Sequence, residues 1–387
     1  MAQTLIQGVR TTATQNTETR RTRDVFPSLL KLDPDISPFT VLMGKLRKRV
    51  VDDPKPEWFE DQSLPVQDIL GGAVSAGAST ITVTNYKYFR AGDILLFLQT
   101  GEQVLVTATP SSTTVSVTRA WGEVSAAAVD TATKIKIIGS ASEENDSSRD
   151  VLSTQKVPKF NYVGIVRDPF AVSNTAKVTK TYAGMDFEEE AANMLFTHKK
   201  KLELMNLQGQ RYEDTTGTEP RRSTRGIVNW ITTNVLNVGG GLTEPVWDSF
   251  LRRIFQFGSS QKVVFDAPIV TQAISGFAKE KLRPSDVMMK KYGMNITEYI
   301  SPFGTVLLAN HKLMTNDDLN DFDDLAGMAI AVDMSYVEMV HTKARISVRK
   351  ENIQNNDVDG RKDEYLSEAG IRVSLEKVHG KLTGVTA

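Results

Sequence analysis

Residues 184–210, GMDFEEEAANMLFTHKKKLELMNLQGQ, carry the strongest structural signal in the chain. Side chains suited to burial recur at every third or fourth position, which is the repeat of one face of an α-helix. Carboxylates stand near the start of the stretch and lysines toward its end, the order that the helix dipole favours. At 1.5 Å per residue this helix is about 35–40 Å long, so the sequence predicts a structural spine. The recurring residues are Phe187, Ala191, Met194, His198, Leu202 and Met205.

The segments after the spine predict two different kinds of structure. Residues 227–334 alternate between helical and strand patterns, which is typical of an α/β unit. Within it, Thr243 and Pro245 mark the start of a helix, and Asp266 follows a short apolar strand, where it is expected to cap the next helix. Residues 335–387 are rich in strand patterns.

A compositional island lies before the spine, at residues 71–141. Gly, Ala, Ser, Thr and Val prevail there, and short alternating segments are separated by turn signals. Strands this short and closely spaced indicate a small all-β barrel or sandwich. Polar stretches flank the island on both sides, which indicates that it is an insertion. The alternating segments are residues 81–83, 104–106, 115–117 and 135–137.

The first 50 residues predict an extended arm rather than a domain. They contain nine Lys or Arg against four acidic residues, and no apolar repeat long enough to form a core. A short amphipathic helix is predicted at 39–46. The basic cluster at its end is either a solvated helix end or a contact with nucleic acid or an acidic neighbouring subunit. This cluster consists of Lys45, Arg47, Lys48 and Arg49.

Composition excludes several classes of protein. The chain has 387 residues, enough for two or three domains of about 150 residues each. Cysteine is absent, which excludes disulfides, thiolate metal sites and thiol catalysis. No run approaches the ~18 apolar residues of a membrane span, so we expect no membrane contact and a soluble protein that is cytosolic where it is made. The net charge of −1 excludes a wholly basic nucleic-acid binder.

Enzyme motifs are weak in this chain. No phosphate-binding Gly-Lys loop, zinc helix motif or nucleophile elbow occurs. Ser259 and Lys262 match the Ser-x-x-Lys pattern of penicillin-binding enzymes, but its companion motifs are missing, so coincidence is the favoured interpretation. We therefore predict no enzyme activity, no catalytic residue and no cofactor. Four histidines, none within metal-ligand spacing of another, are interpreted as structural: His198, His311, His341 and His379.

Two acidic stretches resemble cation sites at first sight. Residues 355–360 imitate the start of a calcium loop, but its twelfth position is Leu366 instead of a bidentate glutamate. A turn between strands is therefore favoured there. In the second stretch, five carboxylates fall within eight positions, and a solvated loop is favoured over a charged interface or a cation site. These five are Asp317, Asp318, Asp321, Asp323 and Asp324.

Three blocks of sequence, spread over most of the chain, carry a family resemblance. They are LDPDISPF at 32–39 followed by EW at 57–58, RDPFAVSNT at 167–175 leading into the spine, and DGRKDEYLSE at 359–368. In order and spacing they resemble the major capsid proteins of tailed bacteriophages with the Hong Kong 97-type fold, in the branch typified by the phage SU-ten major head protein. The resemblance does not assign a role to the β-rich island.

This resemblance implies an α+β fold whose parts have distinct places in a shell. The implied parts are an N-terminal arm at 1–50, an extended loop at 51–70 and 142–170, an inserted β-barrel-like domain at 71–141, a peripheral domain with the spine helix at 171–226 and 335–387, and an axial α/β domain at 227–334. The arm would reach over neighbouring subunits, and the extended loop would lie across one of them.

The implied function is self-assembly through multivalent subunit contacts into an icosahedral shell that encloses phage double-stranded DNA. The implied partners are copies of the chain in pentamers and hexamers, a portal, and packaged DNA bound non-specifically. The arm before the first block has only about 30 residues, shorter than the fused scaffolding region of some relatives, so a separate scaffold protein is expected. A decoration protein is compatible with this assembly, which would take place in the host bacterial cytoplasm and yield the virion capsid.

Candidate contact residues combine the charged clusters with the tryptophan of the first block. Two alternatives stay open at this point: another phage structural component, such as a tail or decoration protein, or a soluble α/β enzyme without a linear motif. Electron microscopy of the purified protein separates these from a capsid protein. The candidate subunit or DNA contacts are Arg20, Arg21, Arg23, Lys45, Arg47, Lys48, Arg49, Trp58, Asp317, Asp318, Asp321, Asp323 and Asp324.

Overall fold

The structure is a computed structural model that describes residues 38–145, 147–179, 186–277, 282–284, 296–315 and 323–386. Within it the chain divides into two compact units. Residues Phe59–Lys159 form one, called the barrel unit here. The residues through Trp58 and from Phe160 onward form the other, called the main unit. In the described ranges, no helix is both long enough and apolar enough to cross a membrane.

The predicted spine is a helix of 23 residues, Asp186–Gln208. It packs against a long strand of the main unit, Gly164–Ser173, and its buried face includes Ala191 and Leu202. The predicted helix start at Thr243 is also confirmed, because Thr243 is the N-cap of Glu244–Ile254. The described helices are α1 (Pro38–Leu46), α2 (Asn174–Val178), α3 (Asp186–Gln208), α4 (Ile227–Trp230), α5 (Glu244–Ile254) and α6 (Pro268–Phe277).

One sheet of the main unit packs against the spine. Its order is β1-β19-β21-β10, and β20 pairs with β21 beside this path. The long antiparallel ladder between β10 and β21 joins two of the sequence blocks that carry the family resemblance. The strands are β1 (Lys48–Val51), β10 (Gly164–Ser173), β19 (Val337–Thr342), β20 (Val348–Lys350) and β21 (Gly360–Val373).

The second sheet holds the largest apolar core. Its order is β13-β22-β18-β14-β17-β16-β15. Its central strands are buried on both faces, as expected where helices cover a sheet; α5 packs against β22 and α6 against β17. The strands are β13 (Val235–Gly240), β14 (Gln261–Asp266), β15 (Leu282–Pro284), β16 (Ile296–Ser301), β17 (Gly304–Asn310), β18 (Ala329–Val332) and β22 (Gly380–Val385), and the hairpin β11 (Tyr212–Asp214) with β12 (Arg221–Ser223) lies apart from this sheet.

Residues 38–51 belong to the core of the main unit, although the sequence predicted an arm through residue 50. Phe39, Leu42 and Met43 are at most 2% exposed. The rings of Phe39 and Phe265 pack edge to face, with 5.2 Å between their centres. Strand β1 then pairs in parallel with β19. A short helix of nine residues looks like an isolated segment in the sequence because its partners, such as Phe265, lie far away along the chain. Residues 1–37 lie outside the described residues.

The barrel unit contains a sheet that closes on itself. Its order is β3-β8-β5-β6-β7-β4, and a bridge between Leu70 and Val83 links the two end strands. Its interior is apolar, with Leu95, Phe97 and Ile135 fully buried. The predicted strands are confirmed, and β5 is an additional one that the sequence analysis missed. The strands are β3 (Gln67–Ile69), β4 (Thr80–Thr82), β5 (Asp93–Phe97), β6 (Gln103–Val106), β7 (Thr114–Thr118) and β8 (Lys134–Ser140).

The chain enters and leaves the barrel unit through a pair of neighbouring strands. Strands β2 (Glu57–Glu60) and β9 (Val157–Phe160) are hydrogen-bonded to each other. On the return path, Arg149 donates to Asp93 Oδ1 at 2.5 Å and to the Ala91 carbonyl at 2.8 Å. These bonds fix the returning segment to the start of β5, so that it belongs to the same compact unit as the barrel.

Candidate subunit-contact surfaces

Two segments of the barrel unit carry apolar side chains whose exposed fraction is unusually large. We call residues 59–69 and 147–159 the limbs, because they lead into and out of the barrel. Val151 is 93% exposed and Phe59 is 69% exposed. Scattered exposed apolar residues are normal, but a concentration on two adjoining segments marks an interaction surface. Other exposed apolar residues of the limbs are Leu64, Val66, Ile69 and Val157.

The two limbs approach each other within the barrel unit. Residues 61–64 of the first limb and residues 152–154 of the second line one open groove. The groove is mixed in character, since Leu64 and Leu152 lie among hydroxyl, amide and carboxylate side chains. An extended segment from another chain can therefore find both apolar and hydrogen-bonding partners there.

The basic cluster at the end of α1 is divided by the structure. Arg47 is engaged within the chain: its Nη1 donates to the Ser335 carbonyl at 2.6 Å and lies 3.8 Å from Glu338 Oε1. Lys48 and Arg49 are exposed on β1, which is an edge strand of its sheet. Lys45 is exposed at the end of α1. Lysine and arginine on an edge strand discourage indiscriminate strand pairing, so these charges restrict which partner can approach.

Trp58, another predicted contact residue, is buried in its own chain. It is 6% exposed, its ring lies 5.6 Å from that of Trp230, and the Arg372 guanidinium lies 5.7 Å from it. The structure therefore places this ring inside the core of the main unit and not on its surface. Its physical role is to anchor the start of β2, since the tilted contact between the two rings adds to the stabilisation that burial gives.

Six of the other predicted contact residues lie outside the ranges that the structure describes. These six are Arg20, Arg21, Arg23, Asp317, Asp318 and Asp321. Asp323 begins a short 3₁₀ turn, Asp323–Leu325, and only its backbone is described. Asp324 is exposed and accepts a hydrogen bond from the side chain of Gln208, at the end of the spine.

A buried chain of polar residues has the order of a hydrolase triad. His198 Nδ1 lies 2.7 Å from Asp168 Oδ2, and its Nε2 lies 2.7 Å from Ser367 Oγ. Ser367 is fully buried and its Oγ also accepts from the Ser347 N–H at 2.9 Å, so a substrate carbonyl has no approach to this hydroxyl. The three residues instead tie α3, β10 and β21 together, which agrees with a structural role for His198.

The Ser-x-x-Lys match also proves to be part of a buried network. Lys262 is fully buried and donates to the Val378 carbonyl at 2.8 Å and to Asp333 Oδ2 at 3.2 Å. Ser259 Oγ lies 2.9 Å from that same Asp333 oxygen. Burial lowers the pKa of Lys262, an effect that the charge of Asp333 opposes. Ser259 and Lys262 therefore both bind the buried carboxylate of Asp333, and these bonds fix the turn before β14.

The calcium-like stretch forms a turn, as the sequence analysis favoured. Val358 N–H donates to the Asn355 carbonyl at 3.2 Å, and Ile353 N–H donates to the Lys362 carbonyl at 2.8 Å across the turn. In the part of the chain that the structure describes, no group of three or more His, Asp or Glu side chains could hold a metal ion.

Two buried titratable groups give the main unit opposite responses to pH. Burial raises the pKa of Asp266 to about 7 from its ordinary 3.8, although Thr271 and His311 oppose the rise. Asp266 was predicted to cap the helix that follows it. Its carboxyl instead accepts a hydrogen bond from the Thr271 hydroxyl. Burial lowers the pKa of His379 to about 4 from 6.5.

Asp266 therefore stabilises the fold at low pH, and this contribution is lost as pH rises through about 7. The contribution of His379 is present above pH 6.5 and is lost as pH falls toward 4.

We expect the substitutions Asp266→Asn and His379→Gln to separate these two responses. With Asp266→Asn, the free energy of unfolding should rise more steeply between pH 4 and pH 6.5 than in the wild type. With His379→Gln it should rise less or fall. Each group exchanges at most one proton, so each slope changes by at most ~1.4 kcal/mol per pH unit. Urea unfolding of the unassembled chain across this range measures both slopes, and equal slopes in all three proteins would contradict the assignment.

Comparison with known proteins gives relatives among phage capsids. The chain is 22% identical over 290 residues to the major capsid protein of Pseudomonas phage PaMx41, covering 72% of this chain and 68% of that one. Among solved structures, it is similar to the capsid of a native GTA particle (TM-score 0.48, 9% identity, 98% of this chain and 100% of that chain). It is also similar to the Mycobacterium phage Bobi chain (TM-score 0.48, 10% identity, 97% and 99%).

The described residues form an α+β fold, and the class of protein that the comparisons show is a major capsid protein. The family assignment rests on a match over residues 6–386 to the family model described as SU10 major capsid protein. This chain belongs to that family. The predictions of the family, of the fold class and of a major capsid function are therefore confirmed, and the virion capsid is where such a protein resides.

Proposed function

We propose that copies of this chain assemble into a closed icosahedral shell that encloses phage double-stranded DNA. The observation that carries the proposal is the concentration of exposed apolar side chains on the limbs, led by Val151 and Phe59. Burying one such side chain contributes about 1.5–3 kcal/mol. A shell repeats this contact in every subunit, so many individually weak contacts sum to a stable container.

The proposal assigns a place in the shell to each part of the chain. Residues 51–70 and 142–170 form the extended loop across an adjacent subunit, and 71–141 form the inserted domain. Residues 171–226 with 335–387 form the peripheral domain, and 227–334 form the axial domain of pentamers and hexamers. The arm at 1–50 contacts neighbours through its part before α1, since α1 and β1 contribute to the core of the main unit.

The partners follow from the same function. We propose a portal, a separate scaffold protein, non-specifically bound DNA and a potential decoration protein, with assembly in the host bacterial cytoplasm and no catalytic turnover. Lys48 and Arg49, exposed on β1, are proposed to contact a neighbouring subunit or DNA. The burial of Ser367 and its engagement with His198 support a structural role over hydrolysis.

The limbs give the proposal a direct test. We expect the double substitution Phe59→Ser and Val151→Ser to leave the unfolding midpoint of the single chain unchanged, because both side chains are exposed. The subunit concentration needed to form shells should rise about tenfold or more, since the lost burial is a few kcal/mol per contact. Sedimentation velocity and electron microscopy measure the shell fraction.

The matched control is Val124→Ser, an equally simple change at a valine of the barrel unit that is 44% exposed outside the limbs. It should assemble like the wild type. Shells of the double variant at the wild-type concentration would refute the role of the limbs. Tubes or compact monomers from the wild-type protein would refute the shell itself, and nuclease digestion of DNA in phage-derived particles would refute enclosure.

A further inference from the structure

Three cations of the main unit lie close enough together to influence one another. Arg211, Arg225 and Lys381 are all half-buried. In the described part of the chain none of them forms an ion pair, and each is bound instead to a backbone carbonyl of its own chain. Half-buried positive charge is costly unless a negative group satisfies it. We call these residues the cationic cluster.

Backbone contacts hold the cluster together. Arg225 donates from Nη2 to the Asn229 carbonyl at 2.5 Å, and Lys381 donates from Nζ to the Val228 carbonyl at 3.0 Å. Val228 and Asn229 are consecutive residues of α4, so the two charged groups are neighbours in space. Arg211 joins them by donating to the Phe160 carbonyl at 2.8 Å, while the next residue, Asn161, accepts from the Arg225 N–H at 2.9 Å.

The aromatic and amide neighbours make the cluster rigid. The Arg211 guanidinium lies 4.0 Å from the centre of the Phe160 ring, and that of Arg225 lies 4.6 Å from the Trp230 ring. Asn161 is fully buried and binds the backbone of residue 225 through both ends of its amide. Guanidinium groups stacked in this way lose little further freedom when they bind a ligand.

Glu376 is the carboxylate whose charge acts on Arg225 and Lys381, but its oxygens are hydrogen-bonded to other groups. Glu376 accepts from the N–H groups of Thr232 and Thr233, each at 2.6 Å, and from the Thr233 hydroxyl at 2.8 Å. Burial lowers the pKa of Arg225, and the charge of Arg211 lowers it further. Burial and the charge of Arg225 act in the same way on Lys381. The site therefore has an excess of positive charge with hydrogen-bond donors to spare.

We propose that the cationic cluster binds carboxylates from a second copy of this chain. Half-burial and the mutual proximity of these charges suit a small planar carboxylate, which an arginine fork binds with two hydrogen bonds, better than the extended backbone of a duplex. The acidic donors we assign are Glu143 and Glu144. Both are exposed, and neither forms an ion pair among the described residues. They lie in the segment that crosses an adjacent subunit under the proposed function, on which this inference rests.

The test is assembly of the full chain without DNA, after nuclease treatment, at several salt concentrations. Arg211→Gln with Lys381→Gln should raise the subunit concentration needed for shells about threefold to tenfold at low salt. Glu143→Gln with Glu144→Gln should do the same, and these exposed positions leave folding unaffected. At ~1 M salt, where the screening length is about 3 Å, the differences should disappear. Arg221→Gln, an exposed arginine on the neighbouring hairpin, should assemble like the wild type.

A charge exchange identifies the pair. Glu144→Lys or Lys381→Glu alone should impair assembly more than neutralisation, and the two together should recover at least half of the loss. Wild-type assembly by both neutralised proteins would overturn the inference while leaving the shell in place. Normal DNA-free assembly combined with lost binding of duplex DNA would identify a phosphate site instead. A wild-type chain that forms no shells would remove the proposed function itself.

Discussion

Replacing Glu203 by alanine is expected to lower the free energy of unfolding by about 3–5 kcal/mol. Glu203 is a fully buried residue of α3. Its carboxylate accepts from the Phe39 N–H at 2.9 Å and the Thr40 N–H at 2.8 Å, and His311 Nε2 lies 2.9 Å from it. It thereby caps the start of α1 from the side of the spine, and its removal leaves buried N–H groups without an acceptor.

Urea unfolding of the unassembled chain measures this loss. Glu190→Ala, on the exposed face of the same helix, is the control and should cost less than about 0.5 kcal/mol. Glu203→Gln keeps an acceptor oxygen and should fall between the two. Hydrogen exchange at α1 adds an independent measurement, because loss of the cap should expose its amides first. A Glu203→Ala protein as stable as the Glu190→Ala protein would show that the cap contributes nothing.

The second large effect is expected at Lys262. Lys262→Ala removes a buried ammonium that donates to Asp333 and to the Phe257 and Val378 carbonyls. The loss should be about 3–5 kcal/mol, because the Asp333 carboxylate then stays buried without its cation. Desolvation raises the pKa of Asp333, but hydrogen bonds from Ser259 and Ser335 outweigh it and keep the pKa low, so this charge persists at neutral pH.

The double substitution Lys262→Met with Asp333→Asn separates charge from packing. It removes both charges and keeps most of the volume, so it should recover a substantial part of the stability lost in Lys262→Ala. Lys312→Ala, at an exposed lysine, is the control and should have little effect. If the double variant is no more stable than Lys262→Ala, packing and not the unpaired carboxylate determines the loss. Thermal unfolding of the unassembled chain measures all four proteins.

Local patterns in the sequence predicted the elements that depend on near neighbours. The spine helix needed only a repeating apolar face, and each of its ends lies within two residues of the predicted position. The start of α5 needed only a capping threonine and a proline. The barrel strands that the sequence predicted, such as β7, alternate because one face of each is buried in a closed interior.

Sequence patterns did not reveal contacts between distant segments. The strand β5, DILLF, has apolar residues on both faces and therefore no alternation to detect. Trp58 was predicted as a contact residue because it belongs to the first block of the family resemblance and to the implied extended loop, whereas its partner Trp230 lies 172 positions away. The cationic cluster was missed for the same reason, since Arg211, Arg225 and Lys381 form no charge run. The exposure of the limbs could not be predicted from residue type, because Val151 is exposed and Val104 is buried although both are valines.

The pairing of β2 with β9 determines where this chain can accept an added segment. The two ends of the segment between β2 and β9 therefore lie one strand spacing apart, about 4.8 Å. A segment whose own ends are adjacent can be inserted, enlarged or deleted there while β2 and β9 stay paired. The junction between β2 and β9 is therefore a point at which a foreign module can be grafted onto this chain.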